Sequence, residues 1–261
     1  MESTRGLAKK RPVLFAVLCT VLAMLIWAVE LDGDPIGGVD MIVSHSLTSI
    51  IALFLMSLLM ILPTAGFRKK GFLQGLALGI PFYILGIASA IFSNPEMDLS
   101  LVRDIRLPSL LSFTLSMFMV GIGEEVLFRG LLLNNFLDVW KDTKNGTLRA
   151  VWVSAAIFGA VHLLNMVVAP PLTVLVQTIN AASAGVLFAA IYIRCRNLWS
   201  VIIVHTLVDW LALAPQQLLP QASSIVSGEV TVIQALMVVL VGSAVPLFVA
   251  WLLLRKKGMN A

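Results

Sequence analysis

Apolar residues run along this chain in blocks long enough to cross a bilayer, separated by short polar or proline-bearing breaks. A membrane helix needs about 20 mostly apolar residues to traverse a hydrocarbon core about 30 Å thick. By that measure the pattern predicts eight helices, near 12–30, 42–64, 72–92, 109–134, 150–168, 172–193, 198–214 and 230–254. The breaks carry turn chemistry: Asp32-Gly33-Asp34-Pro35, Ser93-Asn94-Pro95-Glu96, Lys144-Asn145-Gly146 and Pro170-Pro171. The fifth and seventh blocks are short, which leaves room for a partly re-entrant path. No internal repeat or low-complexity segment stands out. The expected fold is an all-α polytopic membrane protein of about eight transmembrane helices. It forms a single transmembrane domain over residues 1–261, with no soluble domain left to place.

Composition agrees with the pattern. Hydrophobic residues make up 59% of the 261, charged residues 12%, and the mean hydropathy is +0.97. A soluble domain carries roughly 25% charged residues to cover its surface, so an aqueous enzyme, a disordered chain and a coiled coil are all excluded. The formal net charge of +4 is explained by where the charges fall. Basic residues at 5–11, 68–70, 141–149, 194–196 and 255–257 all lie on one side of an eight-span chain. The other side receives Arg103 and Arg106 with the acids Glu30, Asp32, Asp34, Asp40, Glu96, Asp98, Asp104 and Glu229. By the positive-inside rule both termini are cytoplasmic, and the basic excess gives no reason to expect nucleic acid.

Lys9-Lys10-Arg11 ahead of an apolar run has the start of a signal peptide, but Trp27-Ala28-Val29-Glu30 offers no small-x-small cleavage site. An uncleaved first span is expected. Cys19 and Cys195 are too far apart to suggest a disulfide or a CxxC metal site.

Setting the loop charges aside leaves Glu124, Glu125, Arg129 and Asp209 within the spans, joined by His162 and His205. A charge at mid-bilayer costs roughly 2.5–3.5 kcal/mol on insertion scales, so each needs a partner or a wet cavity. Glu125 and Arg129 are spaced i,i+4 in the orientation that favours an ion pair. Glu124 is rotated about 100° away and left free for chemistry. Gly121 and Gly123 permit close helix approach; without a strand and further glycines they are not a phosphate loop. His205 and Asp209 share a face at i,i+4. Counting about 1.5 Å per residue from the cytoplasmic flanks places Glu124, His162, His205 and Asp209 in one layer, about 12–20 Å deep. His45, at the outer end of the second span with no acidic partner in view, reads as structural or interfacial.

HExxH, GxSxG, Ser-Lys and Asp-Asp signatures are all missing from the chain. A carboxylate and a histidine can deprotonate a water held between them. A second histidine can donate to an oxyanion, or complete a three-ligand metal set. On residue types alone, a buried Glu–Arg pair fits a structural role or proton-coupled transport as well as hydrolysis.

Taken in order, Glu124-Glu125-x-x-x-Arg129, Phe158-x-x-x-His162 and His205-x-x-x-Asp209 resemble the motifs of the CAAX protease and bacteriocin-processing family of intramembrane proteases. The resemblance covers about 109–214 and includes the segment Gly185 to Asp209, with Asn197-Leu198-Trp199 leading into the last motif. It implies an intramembrane endopeptidase in which Glu124 and His162 activate water, and Glu125, Arg129 and Phe158 support the site. It also implies that His205 and position 209 stabilise the oxyanion. Asp209 stands where an Asn is often found, and its role is to orient His205, to bind metal, or to act protonated. The family leaves open a zinc or other divalent-metal site, formed here by Glu124, His162 and His205, or a metal-free mechanism. The expected partners are the lipid bilayer and a peptide or membrane-protein substrate, prenylated or a peptide precursor. A catalytically inactive immunity or scaffolding protein of the same fold is the alternative.

Overall fold

The computed structural model describes residues 2–29, 38–93, 99–219 and 231–255, and within them every regular element is helical. The break expected at 32–35, all but Ser93 of the one at 93–96, the acids Glu30, Asp32, Asp34, Glu96, Asp98 and Glu229, and Lys256 and Lys257 lie outside the described residues. Among the described residues six helices are long and apolar enough to cross a membrane, or up to eight where each of two bent pairs counts as one span. The protein is a multi-pass integral membrane protein.

Helix α1 (Glu2–Lys10) meets α2 (Pro12–Trp27) at a bend of 116°. Pro12 sits at the start of α2, where its missing N–H costs nothing, and it pushes Arg11 out of the helical region (φ −136°, ψ 63°). Helix α3 (Val39–Leu58) is the second span and ends six residues before the apolar block does. Met60 turns left-handed (φ 61°), Ile61 N–H donates to the Met56 carbonyl at 2.8 Å, and Met60 N–H donates to that of Ser57 at 3.1 Å. That is a Schellman stop, and a short 3₁₀ turn over Leu62–Thr64 follows it.

The third span is the pair α4 (Phe72–Leu78) and α5 (Ile80–Ser93), kinked by 44° next to Pro81, which cannot donate back into the preceding turn. The fourth is longer than its apolar block. It runs through α6 (Leu107–Glu125), a π-helical stretch over Val126–Leu133 and α7 (Asn134–Trp140). The fifth, α8 (Gly146–Val161), tightens into a 3₁₀ turn over His162–Val167. Helices α9 (Pro171–Cys195), α10 (Leu198–Leu218) and α11 (Val232–Arg255) complete the bundle. The seventh span is one continuous helix rather than a re-entrant loop.

Helix α9 lies between α8 and α11, while α6 lies between α3 and α10. The π stretch is wholly buried, and its Phe128, Leu131, Leu132 and Leu133 share one core cluster with Leu187, Phe188 and Ile191 of α9. Leu18, Leu25, Phe54, Leu240 and Phe248 point outward, as side chains solvated by lipid do.

The basic segments at 5–11, 68–70, 141–149 and 194–196 gather at one end of the bundle. Arg5 Nε donates to the Leu58 carbonyl at 2.6 Å and Asn135 Nδ2 to that of Ala8 at 3.2 Å. Arg68 Nε donates to the Arg196 carbonyl at 2.7 Å, and the Arg149 guanidinium lies 4.3 Å from the centre of the Trp140 ring. Asn197 locks this end: its Oδ1 caps α10 by accepting from Ser200 N–H, and its Nδ2 donates to the carbonyls of Arg68 and Lys70. The loop fits because Gly71 adopts φ +83° with its Cα against the Cys195 carbonyl, where a Cβ would collide. Gly71→Ala combines that collision with a left-handed backbone. It should destabilise the protein by about 1–3 kcal/mol, seen as a lower melting midpoint in detergent; an unchanged midpoint would show that this lock does not matter.

Candidate active site

The residues singled out by charge converge in the layer where α3, α6 and α10 touch. Glycine makes the convergence possible. A Cβ on Gly121 would run into Thr206 Oγ1 and lie 3.0 Å from the Ile202 carbonyl of α10. On Gly123 it would lie 2.8 Å from His45 Cβ on α3. These two positions draw α6 against a neighbour on either side, and the next residue, Glu124, falls between them.

Immediately beyond Glu125 the helix widens. π-Helical turns are rare and leave carbonyls poorly matched to the α-helical ladder. Here Asn134 Nδ2 donates to the carbonyls of Arg129 and Gly130, both at 2.9 Å, and to Tyr192 Oη at 2.7 Å. Tyr192 in turn donates to the Ala65 carbonyl at 3.0 Å. This network ties the wide turn to α9 and to the basic end.

The expected ion pair is present and fully buried. Arg129 Nη1 donates to Glu125 Oε1 at 2.8 Å, and Nη2 donates to the Gly185 carbonyl at 3.2 Å. The guanidinium lies 4.4 Å from the centre of the Phe158 ring and 5.1 Å from that of Phe188. The same Glu125 oxygen accepts from His205 Nδ1 at 2.7 Å. Across the ring, His205 Nε2 is 3.2 Å from Asp209 Oδ2 and 3.7 Å from Glu124 Oε2. Carboxylates only accept, so the geometry suits an imidazole that donates from both nitrogens. Phe188 stacks on that imidazole at 4.9 Å. A contact of this kind can orient the His205 ring.

Glu124 retains 14% side-chain exposure, against none for Glu125. Its Oε1 is 4.0 Å from His45 Nε2. His45, read from the sequence as structural or interfacial with no acidic partner, is buried and does have one: it is 6% exposed and its Nε2 faces the Glu124 carboxylate.

His162 closes α8 at the edge of this layer and is partly exposed. Its Nδ1 donates to the Phe158 carbonyl at 3.1 Å, which fixes the tautomer and leaves the Nε2 lone pair free. Phe158 sits between the two histidines, its ring edge-on to His162 at 5.4 Å and to His205 at 5.8 Å. Among the described residues no ion pair joins His162 to either glutamate. A protein zinc site needs three donors around one point. No three His, Cys, Asp or Glu side chains are so grouped among the described residues. The conditional set of Glu124, His162 and His205 is not gathered as a ligand cage, so the residues as placed do not fit a resident metal.

The structure thus brings Glu124, Glu125, Arg129, His205 and Asp209 into direct contact and sets His162 beside them across Phe158. Sequence reasoning missed His45, Phe188 and the Gly185 carbonyl. Gly123 beside Glu124 was the signal for the first, since it requires a neighbour pressed against the helix.

Fold and site define an integral membrane protein with a buried carboxylate–histidine centre. Residues 106–211 match the family model described as Rce1-like, type II CAAX prenyl endopeptidase Rce1-like. Over that segment the resemblance to the CAAX protease and bacteriocin-processing family is borne out, and it points to an intramembrane peptidase in general terms. No curated protein and no solved structure matches the chain significantly.

Proposed function

We propose that the protein is an intramembrane endopeptidase that hydrolyses peptide bonds of membrane-associated peptides or proteins, with Glu124 and His162 activating the water. The observation that carries this reading is the division of labour between adjacent acids. Glu125 is consumed by Arg129 and His205, while Glu124 keeps a partly exposed carboxylate in the same layer. His162 Nε2, left free by the bond from Nδ1 to Phe158, supplies a second proton acceptor.

In this reading the water oxygen adds to the peptide carbonyl carbon as its proton passes to Glu124 or His162. The tetrahedral oxyanion then collapses, the C–N bond breaks, and the stored proton goes to the departing amine. His205 is anchored at Nδ1 by Glu125 and directs Nε2–H toward the space between Glu124 and Asp209. From there it can donate to the oxyanion when substrate displaces Asp209, and the dry surroundings strengthen that bond. Spans 1 to 8 form one membrane domain around a catalytic core at about 109–214. The gathered basic residues set both termini in the cytoplasm.

The test compares new N-termini among membrane-associated peptides and proteins from cells carrying the wild type or His162→Gln. Gln keeps the polarity but not the basicity of the ring, so a set of termini should fall about 100-fold. An unchanged set would overturn the peptidase reading in favour of an inactive scaffolding or immunity role.

A further inference from the structure

We infer that His45, on a span outside the segment matched by the family model, is a positioning residue for Glu124; the inference rests on the peptidase reading. Glu124 is bracketed, with Oε1 facing His45 Nε2 at 4.0 Å and Oε2 facing His205 Nε2 at 3.7 Å. Neither distance is a hydrogen bond. His205 Nε2–H attracts the carboxylate in a medium of low dielectric, while His45 Nε2 offers a lone pair that can accept from Glu124 once it has taken up the proton from water.

His45 is built to do this. Its Nδ1 lies 3.0 Å from the Met41 carbonyl, which can only accept, so the proton is on Nδ1 and Nε2 is the nitrogen turned to Glu124. The ring stacks on Trp27 of α2 at 4.9 Å and 10°, and Trp27 Nε1 donates to Thr48 Oγ1 at 2.9 Å, which fixes the stack. Gly123 removes the one side chain that would push His45 and Glu124 apart. Three helices thus cooperate to aim one nitrogen, an expensive arrangement for a merely interfacial histidine.

A pair of amide substitutions separates the two ring nitrogens. His45→Asn places an amide nitrogen where Nδ1 was, keeping the bond to Met41 but losing reach to Glu124. His45→Gln places an amide at the reach of Nε2, where its oxygen can act as the acceptor turned to Glu124. The probe is a synthetic peptide spanning the most abundant cleavage site whose product disappears in Glu124→Gln, assayed on purified, folded protein in lipid nanodiscs. Positioning predicts that His45→Asn lowers kcat about 10- to 100-fold, the cost of misplacing a reacting group by about 1 Å, with KM little changed. His45→Gln should recover most of that loss. A packing role for Nδ1 predicts the opposite order and would overturn the inference, as would wild-type kcat in both variants. Where an amide variant does not fold, His45→Phe, which keeps the stack on Trp27, takes its place, with the loss of kcat again expected. Products that persist in Glu124→Gln overturn the peptidase reading and this inference with it. Products lost in Glu124→Gln but made normally by His45→Asn overturn the inference alone.

Discussion

Glu124→Gln should lower kcat about 10³-fold while leaving the protein folded and KM within about twofold, the loss expected when a positioned general base is removed. The substitution keeps the size of the side chain and an oxygen that can accept from His205, but the amide cannot take a proton from water. It also removes one of three carboxyl groups clustered around a single imidazole, since Glu125, Asp209 and Glu124 all approach His205 within 3.7 Å. Like charges in a dry site repel, so the melting midpoint of Glu124→Gln in detergent should be unchanged or raised. Glu125→Gln should behave in the opposite sense. Its carboxylate has no exposure and is the acidic partner of Arg129, so stability should fall before any effect on turnover can be read. Turnover of Glu124→Gln within about tenfold of wild type would remove Glu124 from the chemistry. A transporter would show substrate flux that follows a proton gradient and fails in the same variant.

Much of this could be read from the chain because membranes make charges expensive. The hydropathic blocks anticipated eight crossings, and Glu125–Arg129 and His205–Asp209 follow directly from i,i+4 spacing on single helices. What could not be read depended on where helices stop. Measured from the end of the apolar block at residue 64, His45 lies about 28 Å in, at the far interface. Measured from the Schellman stop after Leu58, it lies about 20 Å in, level with His162. The block gives no warning of that stop, because Met60 is an unusual residue for a left-handed turn and the residues beyond it stay apolar. The π-helical stretch was equally hidden, since Val126 to Leu133 would satisfy an ordinary α-helix. The residue that holds the carbonyls a wider helix releases is Asn134, which Tyr192 in turn ties to Ala65. Phe188 stacks on His205 from a helix that carries no motif residue of its own beyond Gly185, so only the fold reveals it.

Replacing Arg129 should be among the most destabilising single changes in the protein. Arg129→Met fits a flexible apolar chain into the space but leaves Glu125 buried without its cation, a loss of about 3–5 kcal/mol. Measured by reversible unfolding in detergent, that would consume much of the margin of a typical fold. Arg129→Lys should not rescue it. The ammonium cannot reach both Glu125 Oε1 and the Gly185 carbonyl while staying against the Phe158 and Phe188 rings, which the planar guanidinium does. The double variant Glu125→Gln/Arg129→Met separates charge from packing. It leaves no buried charge to compensate and keeps an amide oxygen for His205 Nδ1. Most of the lost stability should return, as it does when a buried ion pair is replaced whole. Catalysis should not return with it, because His205 would lose a charged anchor and Glu124 a nearby positive field. Should the double variant unfold as readily as Arg129→Met, the guanidinium's contacts with Phe158, Phe188 and Gly185, rather than the charge of Glu125, hold this part of the bundle together.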